Sequence, residues 1–142
     1  MAGCGETWRR GERRRALAGP IDNAVPMTKL KIGSSGERGL GVFACGLIAK
    51  DETVERVPVI VLPDPQWELL EQTALHAYYF LWGEHAAAIP TGLGMLYNHS
   101  PEPNAKVIRH LESREMEIVA VRDIHPGEEV TFRYESVWFP LK

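Results

Sequence analysis

Three short stretches of this chain carry residue types for which a plain scaffold has little use. Tyr97-Asn98-His99-Ser100-Pro101-Glu102-Pro103-Asn104 sets amide, imidazole and hydroxyl groups between prolines. Asn98 can offer two amide donors and a carbonyl acceptor, enough to read the polar edge of a bound small molecule. Equally, Asn98, Ser100 and Asn104 can cap turns and satisfy buried backbone groups. His99 has no His or Cys partner at metal-ligand spacing, which favours a packed, hydrogen-bonded histidine over a metal ligand. Further on, Gly127-Glu128-Glu129-Val130-Thr131-Phe132-Arg133-Tyr134 places Phe132 and Tyr134 two residues apart, on one face of a strand. That face is either core packing or an aromatic wall carrying one phenol. Finally, Arg38-Gly39-Leu40-Gly41-Val42-Phe43-Ala44 puts two glycines where a loop enters a strand. The main chain there can approach a ligand closely, or simply turn. The longer glycine spacing and strand-to-helix context of a dinucleotide or phosphate loop are missing.

The elements that must position these groups read as short strands. Leu30 to Ile32, Gly41 to Phe43 and the Val- and Ile-rich run from Thr53 to Leu62 are predicted strands, with Pro58 marking an edge or a break inside the last. Asp64-Pro65 opens a stretch with Trp67, Leu70, Ala74, Ala77, Tyr78 and Leu81 at spacings of three and four, which predicts the one substantial helix. Ala105 to Leu111 and Glu115 to Val121 predict a hairpin around Ser113-Arg114. Pro126-Gly127 makes a turn before a last strand from Glu129 to Tyr134.

At 142 residues, 44% hydrophobic and 25% charged, the chain fits one domain able to bury a core. Cys4 and Cys45 are too few for a disulfide framework or a four-ligand zinc site, which predicts a reducing, cytoplasmic setting. No apolar run approaches the roughly 20 residues that span a bilayer, so no membrane association is expected. Arg9, Arg10, Arg13, Arg14 and Arg15 crowd the start, whereas from Met27 on there are 11 basic and 16 acidic side chains. That acidic balance weighs against direct nucleic-acid binding and is compatible with a basic peptide substrate, or with simple solubility. Residues 1–26 lack hydrophobic periodicity and read as a disordered tail ahead of a domain over 27–142, with Met27 a candidate translation start.

A Gly-x-Gly, then Asn-His-Ser-x-x-Pro-Asn, then Gly-Glu-Glu-x-x-Phe-x-Tyr, in that order over about Leu30 to Tyr134, resembles the SET-domain protein-lysine methyltransferases. Without flanking cysteine clusters the chain looks like the minimal SET proteins of bacteria and viruses, which lack pre-SET and post-SET zinc sites. The resemblance implies a mainly β fold, the β-clip SET fold, with several small sheets, one main helix and a C-terminal pseudoknot. It implies S-adenosylmethionine as methyl donor, contacted by the main chain of Gly39, Leu40 and Gly41 and by Asn98 and His99, with Trp138 an apolar wall for the adenine and no metal. Tyr134 matches the catalytic tyrosine. Phe132 matches the position that limits how many methyl groups fit, and phenylalanine there usually accompanies di- or trimethylation. Tyr78, Tyr79 and Tyr97 are candidates for a further aromatic of the lysine channel. Two departures stand out: Pro101 replaces the cysteine that is a zinc ligand in many members, and Met95 replaces an arginine that contacts the cofactor. Met95 is also what favours the competing reading, a SET-fold interaction module without catalysis. The implied partner is a protein with an accessible lysine, a histone or another basic protein. Exposed channel walls in so small a domain suggest a homodimer that completes them.

Overall fold

The computed structural model describes residues 29–134. The tail expected over 1–26 and the adenine wall assigned to Trp138 lie outside the described residues. Within them the molecule is built of short strands, as a mainly β SET fold requires. β1 (Leu30–Ser34) and β2 (Leu40–Ala44) form an antiparallel hairpin in which Ser34 faces Leu40, joined by a 3-10 turn over Gly36–Arg38.

A five-stranded antiparallel sheet is the main layer. It is made by β3 (Thr53–Pro63), β4 (Phe80–Trp82), β5 (Ala86–Pro90), β7 (Ala105–His110) and β8 (Glu115–Ala120), in the order β4-β5-β3-β8-β7. β3 is long because it serves two partners: its first half pairs with β8 as far as Pro58, and from Val59 on it pairs with β5. Pro58 sits at that handover, where its carbonyl accepts from Thr91 rather than from a ladder partner. A register shift between Thr53 and Glu55 makes Val54 an extra residue, so Val54 and Glu55 are both buried while Arg56 and Pro58 are exposed.

The helix expected from Asp64 to Leu81 does not form. Its observed parts are α1 (Gln66–Leu70), a 3-10 turn over Ala74–Ala77, and then strand β4. Thr73 breaks the helical run with an extended backbone (φ −116°, ψ 167°), and its hydroxyl accepts from the Leu75 N–H. The three- and four-residue apolar spacing is real, but two different packing jobs share it. Leu70 is buried outside the main core, while Trp82 belongs to that core and Phe80 packs against it.

The core lies under the sheet. Val42, Ile48, Met116, Ile118, Ile124, Val130 and Phe132 are all essentially inaccessible, each side chain contributing about 1.5–3 kcal/mol by leaving water. The last strand is shorter than expected. β9 (Thr131–Phe132) pairs in parallel with β6 (Asn98–His99), and the preceding residues turn to β2 instead, through a Phe43–Glu129 bridge and a Val130 N–H to Val42 carbonyl bond of 2.8 Å.

Candidate active site

Two-residue strands cannot hold themselves in place, and side chains do the rest. Asn104, 3% exposed, donates from Nδ2 to the Glu129 carbonyl at 2.8 Å, and its Oδ1 accepts the Thr131 N–H at 2.9 Å. It is a clamp on the final strand, the turn- and backbone-satisfying role that its residue type allows. Asn98 spends both amide donors inside the protein, on the Leu40 carbonyl (3.0 Å) and on Glu129 Oε1 (2.7 Å). The other oxygen of Glu129 accepts from Ser35 Oγ and from Arg38 Nη2, both at 2.8 Å, and Arg38 Nη1 donates to the His99 carbonyl at 3.1 Å. Gly41 is glycine because a Cβ there would run into the Glu129 carboxylate and sit 3.1 Å from the Asn98 amide. Gly39 is glycine for its backbone (φ 81°, ψ −125°), although a Cβ there would meet nothing within 4 Å; its N–H donates to the Gly36 carbonyl at 3.1 Å and its carbonyl accepts the Ser35 N–H at 2.7 Å, closing the turn.

His99 and Tyr134 are locked together. His99 Nδ1 accepts the Tyr134 main-chain N–H at 2.9 Å, and the two rings lie 5.3 Å apart. Burial, then the charges of Arg133 and Arg38, hold the imidazole below its ordinary pKa, so it is neutral. The hydrogen bond assigns its proton to Nε2. The Tyr134 hydroxyl donates to the Tyr97 carbonyl at 2.7 Å, and burial raises its pKa above the ordinary tyrosine value. It is therefore a phenol at neutral pH, with its oxygen lone pairs turned away from the donated bond.

That phenol reaches a cavity of about 430 Å³ walled by Tyr78, Phe80, Met95, Tyr97, Phe132 and Tyr134. Phe132 is its inner support, with ring centroids 5.6 Å from Tyr97, 5.7 Å from Tyr134 and 5.9 Å from Phe80. Tyr79 also lines the cavity, and its hydroxyl donates to Glu71. Tyr97 lines it as well, and its hydroxyl donates to buried Glu55. Gly39, Leu40, Gly41, Asn98 and His99 do not line this cavity; Tyr134 joins the two regions through His99.

Residues 39–135 match the family model described as the SET domain. The chain belongs to the SET-domain protein-lysine methyltransferase family. It is 29% identical over 117 residues to a histone-lysine N-methyltransferase, H3 lysine-37 specific, of Schizosaccharomyces pombe, covering 81% of this chain and 80% of that protein. It is 34% identical over 113 residues to a histone-lysine N-methyltransferase, H3 lysine-36 specific, of Yarrowia lipolytica, covering 71% of this chain but 14% of that much longer protein. Among solved structures, a candidate histone methyltransferase of Plasmodium falciparum is similar with a TM-score of 0.60 and 29% identity, over 78% of this chain and 100% of that one. None of these three relatives is bacterial or viral.

In this SET domain the sequence motifs are brought together, but Asn98, Asn104 and Glu129 mostly tie them to one another. Glu129, Arg38 and Glu55 escaped the reading by residue type. Glu129 and Arg38 stand inside the motifs themselves, and Glu55 lies on the buried parity of an apolar strand, which is its signal in the sequence. Among the described residues no three His, Cys, Asp or Glu side chains gather to hold a metal ion. The clear space beside Gly39 and the His99 Nε2–H leave room and a donor for a nucleoside cofactor next to Tyr134, whereas the Arg38 guanidinium is already paired with Glu129 and the His99 carbonyl. Met95 supplies no charge at the position where many members have arginine.

Proposed function

We propose that this SET domain transfers methyl groups from S-adenosylmethionine to the side-chain amine of a lysine in a protein substrate. The observation that carries the reading is the partly buried Tyr134 phenol, fixed between the Gly39–His99 region and a largely aromatic cavity of about 430 Å³. The two curated relatives are named for lysines of histone H3, which makes a histone tail or a similarly basic segment the first substrate to try.

When bound, the cofactor supplies a sulfonium-activated methyl group, and the protein's task is alignment and exclusion of water. Gly39, Leu40 and His99 would hold it, with Asn98 keeping the glycine segment and Glu129 in register. The acceptor amine, with an ordinary pKa of about 10.4, must arrive neutral. Tyr134 cannot serve as its base, because a phenol with a raised pKa holds its own proton. The cavity acts on the equilibrium instead. Taking the amine out of water into this cavity disfavours the ammonium ion, and the positive charges of Lys106 and Arg133 in its lining push the same way. With its proton committed to the Tyr97 carbonyl, the Tyr134 oxygen can accept weak C–H contacts from the polarised methyl. Phe132 offers no hydroxyl to orient a partly methylated amine, which supports transfer of more than one methyl group.

The test is incubation with labelled S-adenosylmethionine and histone H3 or a cell extract, followed by mass spectrometry of methylated lysines. Tyr134→Phe is expected to lower turnover by roughly 100-fold through misalignment while leaving the cofactor dissociation constant, read by calorimetry, nearly unchanged. Wild-type turnover in that variant overturns the role. Cofactor binding without transfer to any protein favours instead the interaction module that Met95 suggests.

A further inference from the structure

Among the described residues Glu55 is the one buried carboxylate, at a strand position that would suit an apolar side chain. It lies on β3 with the inward parity of Val57 and Val59, is 6% exposed, and stands opposite Ile118 in the ladder. Taking a carboxylate out of water is costly, and an apolar residue of similar size usually does as well or better for stability alone. Here each oxygen is committed to a different donor. Oε1 accepts the Leu93 N–H at 3.0 Å, and Oε2 accepts the Tyr97 hydroxyl at 2.7 Å. Those donors are the two ends of one segment, Leu93 to Tyr97. The backbone before it is shaped around the same group: Gly92 has φ +60°, and a Cβ there would lie 2.5 Å from Glu55 Oε1 and 2.8 Å from Val57.

The clamped segment supplies two surfaces of the cavity. Met95, between the clamped ends, lines it directly. Tyr97 also lines it, its ring lies tilted 5.6 Å from that of Phe132, and its carbonyl accepts the Tyr134 hydroxyl at 2.7 Å. Glu55 itself is not among the lining residues, so whatever it does to the reaction it does through Tyr97 and Met95.

We propose that Glu55 is a positioning residue for methyl transfer: by holding both ends of the Leu93–Tyr97 segment it fixes the carbonyl that orients the Tyr134 phenol and the ring that backs Phe132. It thereby sets both the rate and the number of methyl groups the site accepts. This rests on the methyltransferase reading above, and the two fail separately. A wild-type protein that methylates nothing overturns both, whereas an active wild type with unaffected variants overturns only the role of Glu55.

The experiment compares Tyr97→Phe, Glu55→Ala, Glu55→Gln and the Tyr97→Phe/Glu55→Ala double variant in the full chain. All are assayed well below their melting temperatures, with turnover expressed per folded molecule. Tyr97→Phe removes only the hydroxyl and keeps the ring, so it remains informative even if Glu55→Ala fails to fold. It is expected to lower kcat about tenfold and to change the ratio of mono-, di- and trimethyl product, with the cofactor dissociation constant unchanged. Glu55→Gln is expected to restore most of the activity, because its amide can accept from Leu93 and donate to the Tyr97 oxygen. The double variant should be no worse than Glu55→Ala, since both remove one shared contact. A purely structural Glu55 would lower the melting temperature and leave kcat and the product ratio alone; that result in Tyr97→Phe, or simple additivity in the double variant, overturns the proposal.

Discussion

His99 holds the Tyr134 main chain through a lone pair on Nδ1, and that lone pair exists only while the ring is neutral. Its folded pKa is depressed by burial and by Arg133 and Arg38, so as pH falls the unfolded chain takes up the proton first. The stability tied to the neutral ring is complete above the unfolded histidine value of about 6.5, and it is lost as pH drops below it towards the lower folded value. Protonation would also turn an acceptor into a donor facing the Tyr134 N–H, loosening the phenol. Activity and melting temperature should therefore decline together on the acid side, and His99→Gln should flatten that decline. An acid limb in melting temperature that is identical in the variant would show that His99 does not carry it.

At the scale of elements, the pairing that makes the site is between β6 and β9, two residues each, in which Asn98 faces Thr131 and His99 faces Phe132. So short a parallel pair depends on what lies beside it, chiefly Asn104. Asn104→Ala leaves the Glu129 carbonyl and the Thr131 N–H without their buried partner, a loss of about 2–4 kcal/mol read from urea unfolding. A cost within the range of an ordinary surface substitution would mean that β9 is held by packing alone. The segment between α1 and β4 shows the converse. Its apolar residues repeat with helical spacing, yet the chain forms one short helix, one 3-10 turn and a strand, because Tyr78, Tyr79 and Phe80 are taken up by the wall of the cavity.

For the whole molecule the decisive feature is how the main sheet curls. β4 and β7 are its two outer strands, first and last in the order, and yet Arg109 Nε on β7 donates to the Leu81 carbonyl on β4 at 2.9 Å. Strand twist accumulates until the edges face each other across the cavity, and the guanidinium spans the gap. Arg109→Ala should loosen that seam by about 1 kcal/mol, seen as roughly fivefold faster hydrogen exchange in residues 80–82 and 105–110 with little change in β3. Uniformly unchanged exchange would place the closure in the rest of the sheet.

Local chemistry was enough to read the β-rich class, the strand that became β3, the hairpin of β7 and β8, and the motif residues themselves. Period-two burial and turn chemistry act between near neighbours, and three ordered motifs are too specific a combination to arise from packing. Which groups stay available was decided only in three dimensions. Asn98 has the residue type to grip a ligand, yet both its amide donors are spent on Leu40 and Glu129; Tyr97 has a hydroxyl, yet it faces Glu55. Such assignments depend on partners 31 to 58 positions away, and spacing along the chain carries no record of which donor meets which acceptor once the sheet has curled.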